Sequence, residues 1–269
     1  MTVSLLSRTA ALCVACLLAL VMAGCSSPPV DESANATAER LYKDAKEDME
    51  SGSYERALKT LERVEGLAAG SLMGQQALLD MAWLNWKMGE RAAGLTAIER
   101  FIKLNPSSPA LDYALYLRGV LNFSENLGLL GSWFGQDLSE RDQKAARDSY
   151  QAFKQLIDQF PNSRYTPDAK QRMNFIVNLL ANYEVHVARY YLRRGAYVAA
   201  ATRAQQAVAE FQQTPAVEEA LYILVQSYEK LDLPQLRADA ERVLRTNFPS
   251  STFLGSGALD RNKPWWRPW

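Results

Sequence analysis

The chain has 269 residues, of which 48% are hydrophobic and 22% charged, the balance of an ordinary globular protein. Thirty basic side chains offset thirty acidic ones, so no electrostatic footprint points to nucleic acid. One histidine (His186) and three cysteines, all within the first 25 residues, exclude a two-imidazole site, a zinc cluster and an internal disulfide framework.

The N-terminus reads as an export signal over residues 1–24. Arg8 is its only charge, and residues 9 to 22 form an apolar run of about fourteen, the length of a signal core and short of a bilayer span. Met22-Ala23-Gly24-Cys25 resembles a bacterial lipobox, in which the cysteine sulfur is lipidated and the chain is cut before it. The alternative is a plain signal-peptide cysteine, like Cys13 and Cys16. Leucine is commoner than Met22 at that position, and Ser26 in place of aspartate disfavours retention at an inner membrane. Several acyl chains on Cys25, a thioether diacylglycerol plus an N-acyl chain, hold stably where one would not. No other cofactor is expected. Residues 25–37, rich in Ser and Pro, read as a lipidated flexible tether.

From Thr37 onward apolar residues recur at three- and four-residue spacing, and no strand-like alternation of any length occurs. The expected class is all-α, a solenoid of about five helical hairpins of the tetratricopeptide repeat (TPR) kind, with an insertion in the third. In the first unit Leu41, Ala45, Gly52, Tyr54, Ala57, Leu61 and Val64 occupy the apolar, small and turn positions of such a hairpin. Ala45 and Ala57 fall where its two helices touch. Shifted by 37 residues, Leu78, Ala82, Gly89, Gly94, Ile98 and Phe101 repeat the pattern, which closes near Pro106. The third unit opens at "DYALYLRGVLNF" with Gly119 at the tight position and closes at Pro161. Between its helices lies an insertion of roughly eighteen residues with Gly128, Gly131 and Gly135, a length often functional.

Thr166 and Pro167 read as an N-cap and first helical residue, and the next Gly or Pro is Gly195, so one long helix is expected over 167–194. Its second half gives Ala188 and Tyr191 to a fourth unit. The fifth uses Leu221, Val225 and Tyr228, restarts at Pro234 and stops at Pro249. Units one to three (38–161) and units four and five (162–249) form the two halves. Residues 250–269 lack periodicity and read as a mobile tail. Its terminal "PWWRPW" suits a partner or a lipid headgroup surface, or else a cap on the last repeat.

The first helix of each TPR unit faces the inner groove. That register assigns Glu39, Tyr42, Lys46 and Met49 from unit one, Gln76, Leu79, Trp83 and Trp86 from unit two, and Tyr113, Tyr116, Val120 and Phe123 from unit three. Such a surface suits an extended, aromatic-bearing peptide, with Lys46 able to meet a carboxylate. The competing reading makes these rings inter-helix core. His186 reads as a packed histidine, and Glu218-Glu219 and Asp239-Glu241 as solvated helix faces. Nothing resembles a phosphate loop or a nucleophile elbow, so no enzyme is expected.

Four segments carry a specific resemblance: "ERFIKLNPSSP", "DYALYLRG", "WFGQDLSERDQKAARDSYQAFKQLIDQFPNS" and "YYLRRGAYVAAATR". Within the third, Phe134, Gly135, Asp137, Ser139, Arg141, Asp142 and Arg147 are the most distinctive. Together they make the chain, to about residue 249, resemble the BamD/ComL family of TPR lipoproteins, which serve the outer-membrane β-barrel assembly machine. The resemblance implies a non-catalytic adaptor on the periplasmic face of the outer membrane. Its N-terminal units would bind unfolded outer-membrane protein precursors whose signal ends in an aromatic residue. Its C-terminal units would dock on the POTRA domain of BamA nearest the barrel, with BamC as a further partner. Arg203 matches the family's basic residue for the BamA contact, with Arg193 and Arg194 nearby. A guanidinium there can pair two-pronged with a partner carboxylate. One departure stands out: where the family carries an Arg-Tyr-Pro-Phe-Gly turn, this chain reads "EGLAAGSLMG" over 65–74. Two other readings are a pilotin-like TPR lipoprotein that escorts a secretin and a lipoprotein cell-wall hydrolase, which would need a catalytic carboxylate in a sugar-sized cleft.

Overall fold

A computed structural model describes residues 32–123 and 143–254. Ten α-helices run through them: α1 (Glu32–Glu50), α2 (Tyr54–Leu67), α3 (Leu72–Met88), α4 (Arg91–Leu104), α5 (Leu111–Asn122), α6 (Gln143–Gln159), α7 (Thr166–Arg193), α8 (Tyr197–Glu210), α9 (Ala216–Lys230) and α10 (Pro234–Asn247). A single 3-10 turn, Thr252–Leu254, follows. No strand occurs among the described residues, so the all-α, helical-hairpin class expected from the periodicity is the one found. The signal, Cys25, most of the insertion (124–142) and the Trp-rich end (255–269) lie outside the described residues.

The chain divides into two compact units, 1–77 and 78–269. In the first, α1 packs against α2. Ala45 and Ala57 are both fully buried, as a close hairpin requires, since any larger side chain would hold the helices apart. Asp48 and Arg56 tie the two helices by an ion pair of 2.8 Å. Gly52 turns the hairpin with φ at +77°, and Gly89, at the corresponding position of the next repeat, has φ at +79°. Both lie in the left-handed region that glycine enters without a Cβ penalty, which is why a hairpin repeat keeps glycine there.

In the second unit each helix from α4 onward packs against its successor, and α9 also returns to α7. The core runs through Leu115, Phe153, Leu156, Ile176, Val185, Ala200, Ala204, Ala220, Leu221 and Leu244. Gly119 marks a close approach in it. A Cβ built there would lie 2.4 Å from Cε1 of Phe153, so α5 and α6 touch only because the side chain is missing. The Ser149 hydroxyl donates to the Gly119 carbonyl at 2.8 Å and fastens the same crossing.

Four local expectations change. Helix α1 begins at Glu32, inside the stretch read as tether, because Glu32-Ser-Ala-Asn-Ala-Thr contains no helix breaker once Pro28 and Pro29 are passed. Helix α7 starts one residue early: Tyr165 is the cap residue, Pro167 sits in the first turn, and the Thr166 hydroxyl donates to the Phe160 carbonyl at 2.8 Å. The start of the supposed mobile tail is packed, with the Phe253 ring stacked 5.1 Å from Tyr222 and Leu254 set against the core. Glu219, read as a solvated residue, is held by Arg189 through two hydrogen bonds of 2.6 and 2.7 Å that join α9 to α7.

Candidate functional site

One cavity of about 630 Å³ opens in the second unit, and five of the eleven described residues that line it are aromatic. Helix α3 contributes Trp83 and Trp86, one turn apart on a single face. Helix α5 contributes Tyr113 and Tyr116 together with Val120, and Phe123 follows at its end. Arg91 opens α4, directly after the Gly89 turn, and Arg172 reaches the cavity from the second turn of α7.

The rings are fixed from behind. Tyr116 stacks on Tyr165 with centroids 4.9 Å apart and 20° between planes, and Tyr113 lies 5.3 Å from the same ring. The Arg164 guanidinium covers Tyr165 at 4.8 Å. Phe123 meets Phe175 edge-on at 5.6 Å. Lys87 lies 5.3 Å from the Trp83 ring centroid and 5.0 Å from that of Trp86, within the range of a cation–π contact. Trp86 is 40% exposed, so its indole is presented to solvent and not consumed by packing.

The polar groups are cationic or phenolic. The Tyr116 hydroxyl donates to Oδ2 of Asp168 at 2.8 Å, and Nε of Arg172 donates to the same oxygen at 2.6 Å. Asp168 therefore orients Arg172. Desolvation works to raise the Asp168 pKa, but the hydrogen bonds from Arg172 and Tyr116 outweigh it and hold the carboxyl below its usual range. Burial, then the hydrogen bond to Asp168, pushes the Tyr116 phenol up. Burial, then Tyr165 and Asp80, pushes Tyr113 up to about 12. Both phenols thus stay neutral at physiological pH. Arg91 donates from Nη2 to Asn122 at 3.2 Å, while its Nε is buried with no hydrogen-bond partner among the described residues. No carboxylate is among the described residues that line the cavity.

Of the groove residues expected from the sequence, Trp83, Trp86, Tyr113, Tyr116 and Phe123 share this one cavity. Phe123 needs a correction: at 6% exposure it is a buried wall residue, because Phe175 from α7 covers it. Val120 at 8% is likewise a buried wall residue of the cavity, while Leu79 at 2% is buried and does not line it. Tyr42 and Lys46 belong to the first unit, where Lys46 Nζ lies 5.9 Å from the Tyr42 ring centroid. Arg91, Arg172 and Asp168 were not expected. Arg91 stands outside the groove register, as the residue that opens the second helix of its hairpin. The other two lie on a helix about 80 residues beyond the tryptophans.

The three docking candidates lie on the α7–α8 hairpin. Arg193 and Arg194 are exposed at its turn, with the Arg194 guanidinium 5.4 Å from the Tyr190 ring centroid. Arg203 is on α8, its side chain 39% exposed and Nη1 3.1 Å from Oε2 of Glu184.

Residues 34–244 match the family described as YfiO, outer membrane lipoprotein. Outer membrane protein assembly factor BamD of Neisseria meningitidis serogroup B is 45% identical over 94% of this chain and 96% of its own length. The factor of the same name from Neisseria gonorrhoeae is 45% identical over 94% of this chain and 96% of its own length. That of Vibrio cholerae is 32% identical over 86% of this chain and 96% of its own.

Proposed function

The chain belongs to the YfiO family of outer membrane lipoproteins, and on that footing we propose that it is a non-catalytic adaptor of the outer-membrane β-barrel assembly machine. In this reading the N-terminal repeats hold unfolded outer-membrane protein precursors. The C-terminal repeats hold the BamA POTRA domain nearest the barrel, with BamC as a companion. Cys25, once lipidated, keeps the assembly at the periplasmic face of the outer membrane. No helix among the described residues is long and apolar enough to cross a membrane.

The observation that carries the reading is the cavity. Five aromatic residues, two of them tryptophans, converge on one concave space with cations at hand. Rings presented this way bind aromatic side chains of an unfolded chain by area burial and ring contacts, with little demand on exact sequence. An adaptor for many precursors needs that tolerance. At the other end, Arg193, Arg194 and Arg203 present cations along one hairpin, a surface suited to carboxylates on a partner domain.

Affinity isolation of the lipid-anchored chain from membranes tests the reading. Recovery of BamA together with precursor chains is expected. Recovery of a secretin without BamA would replace it with the escort function.

A further inference from the structure

We propose that the edge formed by the α7–α8 and α9–α10 turns is a lipid-contacting surface, which rests on the headgroup region of a bilayer containing anionic lipid. Tyr190, Val198, Leu233 and Leu236 supply its apolar contact, and Arg193 and Arg194 meet lipid phosphates.

Topology makes it one surface. Helices α7 to α10 pack each on the next, and α9 also touches α7. Short turns reverse the chain at each step, so the α7–α8 and α9–α10 turns fall at one edge and the α8–α9 turn at the opposite edge. Packed helices lie about 8–10 Å apart, which keeps the two turns adjacent.

The large apolar side chains are sorted between these edges. From residue 176 to residue 254 the exposed ones are Tyr190, Val198, Leu233 and Leu236, with Val198 at 67%. Tyr190 is in the last turn of α7 and Val198 in the first turn of α8, while Leu233 caps α10 and Leu236 lies in its first turn. The opposite edge is closed. Phe211 is buried there, Phe248 packs against the core, and Gln212 and Gln213 face solvent. Apolar area left open at one edge alone marks a contact surface.

Charge selects lipid as its occupant. Between Tyr190 and Val198 the chain carries two arginines and no carboxylate. Neither guanidinium is paired with a carboxylate among the described residues, and that of Arg194 lies 5.4 Å from the Tyr190 ring centroid. Phenol rings and guanidinium heads set beside aliphatic side chains match a membrane interface, where rings sit at headgroup level and cations reach phosphate. A protein partner would need carboxylates fixed at matching positions, whereas lipid headgroups rearrange around two neighbouring cations. The chain belongs to a family of outer membrane lipoproteins, which puts a bilayer within reach. Arg203 lies about two helical turns beyond the α7–α8 turn, so it remains open to a protein partner while the edge meets lipid.

The test uses the lipid-anchored full chain in vesicles of phosphatidylcholine and phosphatidylglycerol in equal parts, with a nitroxide on the lipid headgroup. Once Cys25 is acylated and Cys13 and Cys16 have left with the signal, an introduced thiol alone takes a fluorophore. Ala196→Cys labels the proposed edge and Gln212→Cys the opposite one, both at exposed turn positions. Quenching should be several-fold stronger at the first. Arg193→Gln and Arg194→Gln should each weaken edge docking about fivefold, the worth of one basic side chain beside an anionic surface. Leu233→Ser combined with Leu236→Ser should weaken it further, with helicity by circular dichroism unchanged because both residues are exposed. Equal quenching at the two labels would overturn the inference. So would quenching at Ala196→Cys that ignores both arginine variants and persists in pure phosphatidylcholine, since the anchor alone would then explain it. Protection of that label by added BamA, without quenching by lipid, would give the edge to a protein partner and overturn it too. Co-purification of BamA and precursors reports on the adaptor role separately, so either reading can fail while the other stands.

Discussion

Arg203 on α8 places Nη1 3.1 Å from Oε2 of Glu184 on α7, a carboxylate whose side chain is only 4% exposed. The buried carboxylate needs that cation, because an ionised group taken out of water without a partner is strongly destabilising. The half-exposed guanidinium therefore has two duties, one inside the fold and one at the surface proposed to meet BamA.

The pair changes how the docking surface should be tested. Arg203→Glu would set a second carboxylate against Glu184 and cost about 3 kcal/mol or more in stability, so lost co-purification would report unfolding. Arg203→Lys keeps the charge near Glu184 but loses the planar fork. It should retain a near wild-type melting temperature and weaken co-purification of BamA. Undiminished recovery of BamA with the lysine variant would take Arg203 out of the contact.

The two tryptophans of the cavity should separate by exposure. Trp86, 40% exposed, can become alanine with little change in stability, and photo-crosslinking to precursor peptides should fall several-fold. Trp83 is more enclosed, so its alanine variant should also melt earlier. If Trp86→Ala unfolds the protein as readily as Trp83→Ala, both rings are core and the cavity is not a peptide site.

At the α5–α6 crossing, Gly119→Ala should destabilise by about 1–3 kcal/mol, because its Cβ would fall 2.4 Å from a fully buried ring. Phe153→Leu on its own leaves a void. Combined with Gly119→Ala, it should cost less than the sum of the two single changes. Strict additivity in urea unfolding would show that the crossing relaxes by some other route.

Alkaline pH should loosen the wall of the cavity. The Tyr113 phenol ionises at its ordinary 10.0 in the unfolded chain but at about 12 in the fold, with burial as the main cause. The native state holds that proton more tightly, so the stabilisation is whole below pH 10 and is lost as pH rises through 12. Unfolding midpoints should fall across that interval, and Tyr113→Phe should flatten the fall. An unchanged slope in the phenylalanine variant would assign the effect to other tyrosines.

Local order was legible in the chain itself. Apolar spacing near 3.6, glycines 37 residues apart and prolines at the joints place the helices. Ala45, Ala57, Ala82 and Gly119 sit where helices cross, because such constraints act between residues close in sequence or repeated in register. The same register brought six of its twelve groove positions, five of them aromatic, to one cavity. Only the tertiary structure decided that Arg172, held by Asp168, completes that cavity, that Phe175 closes over Phe123, that Arg189 takes Glu219 out of solvent, and that Arg203 answers a buried Glu184. Periodicity tells which face of a helix is apolar. Which charged residues at its margin meet depends on how helices distant in sequence are offset and rotated against one another, and that is set by packing across the whole unit.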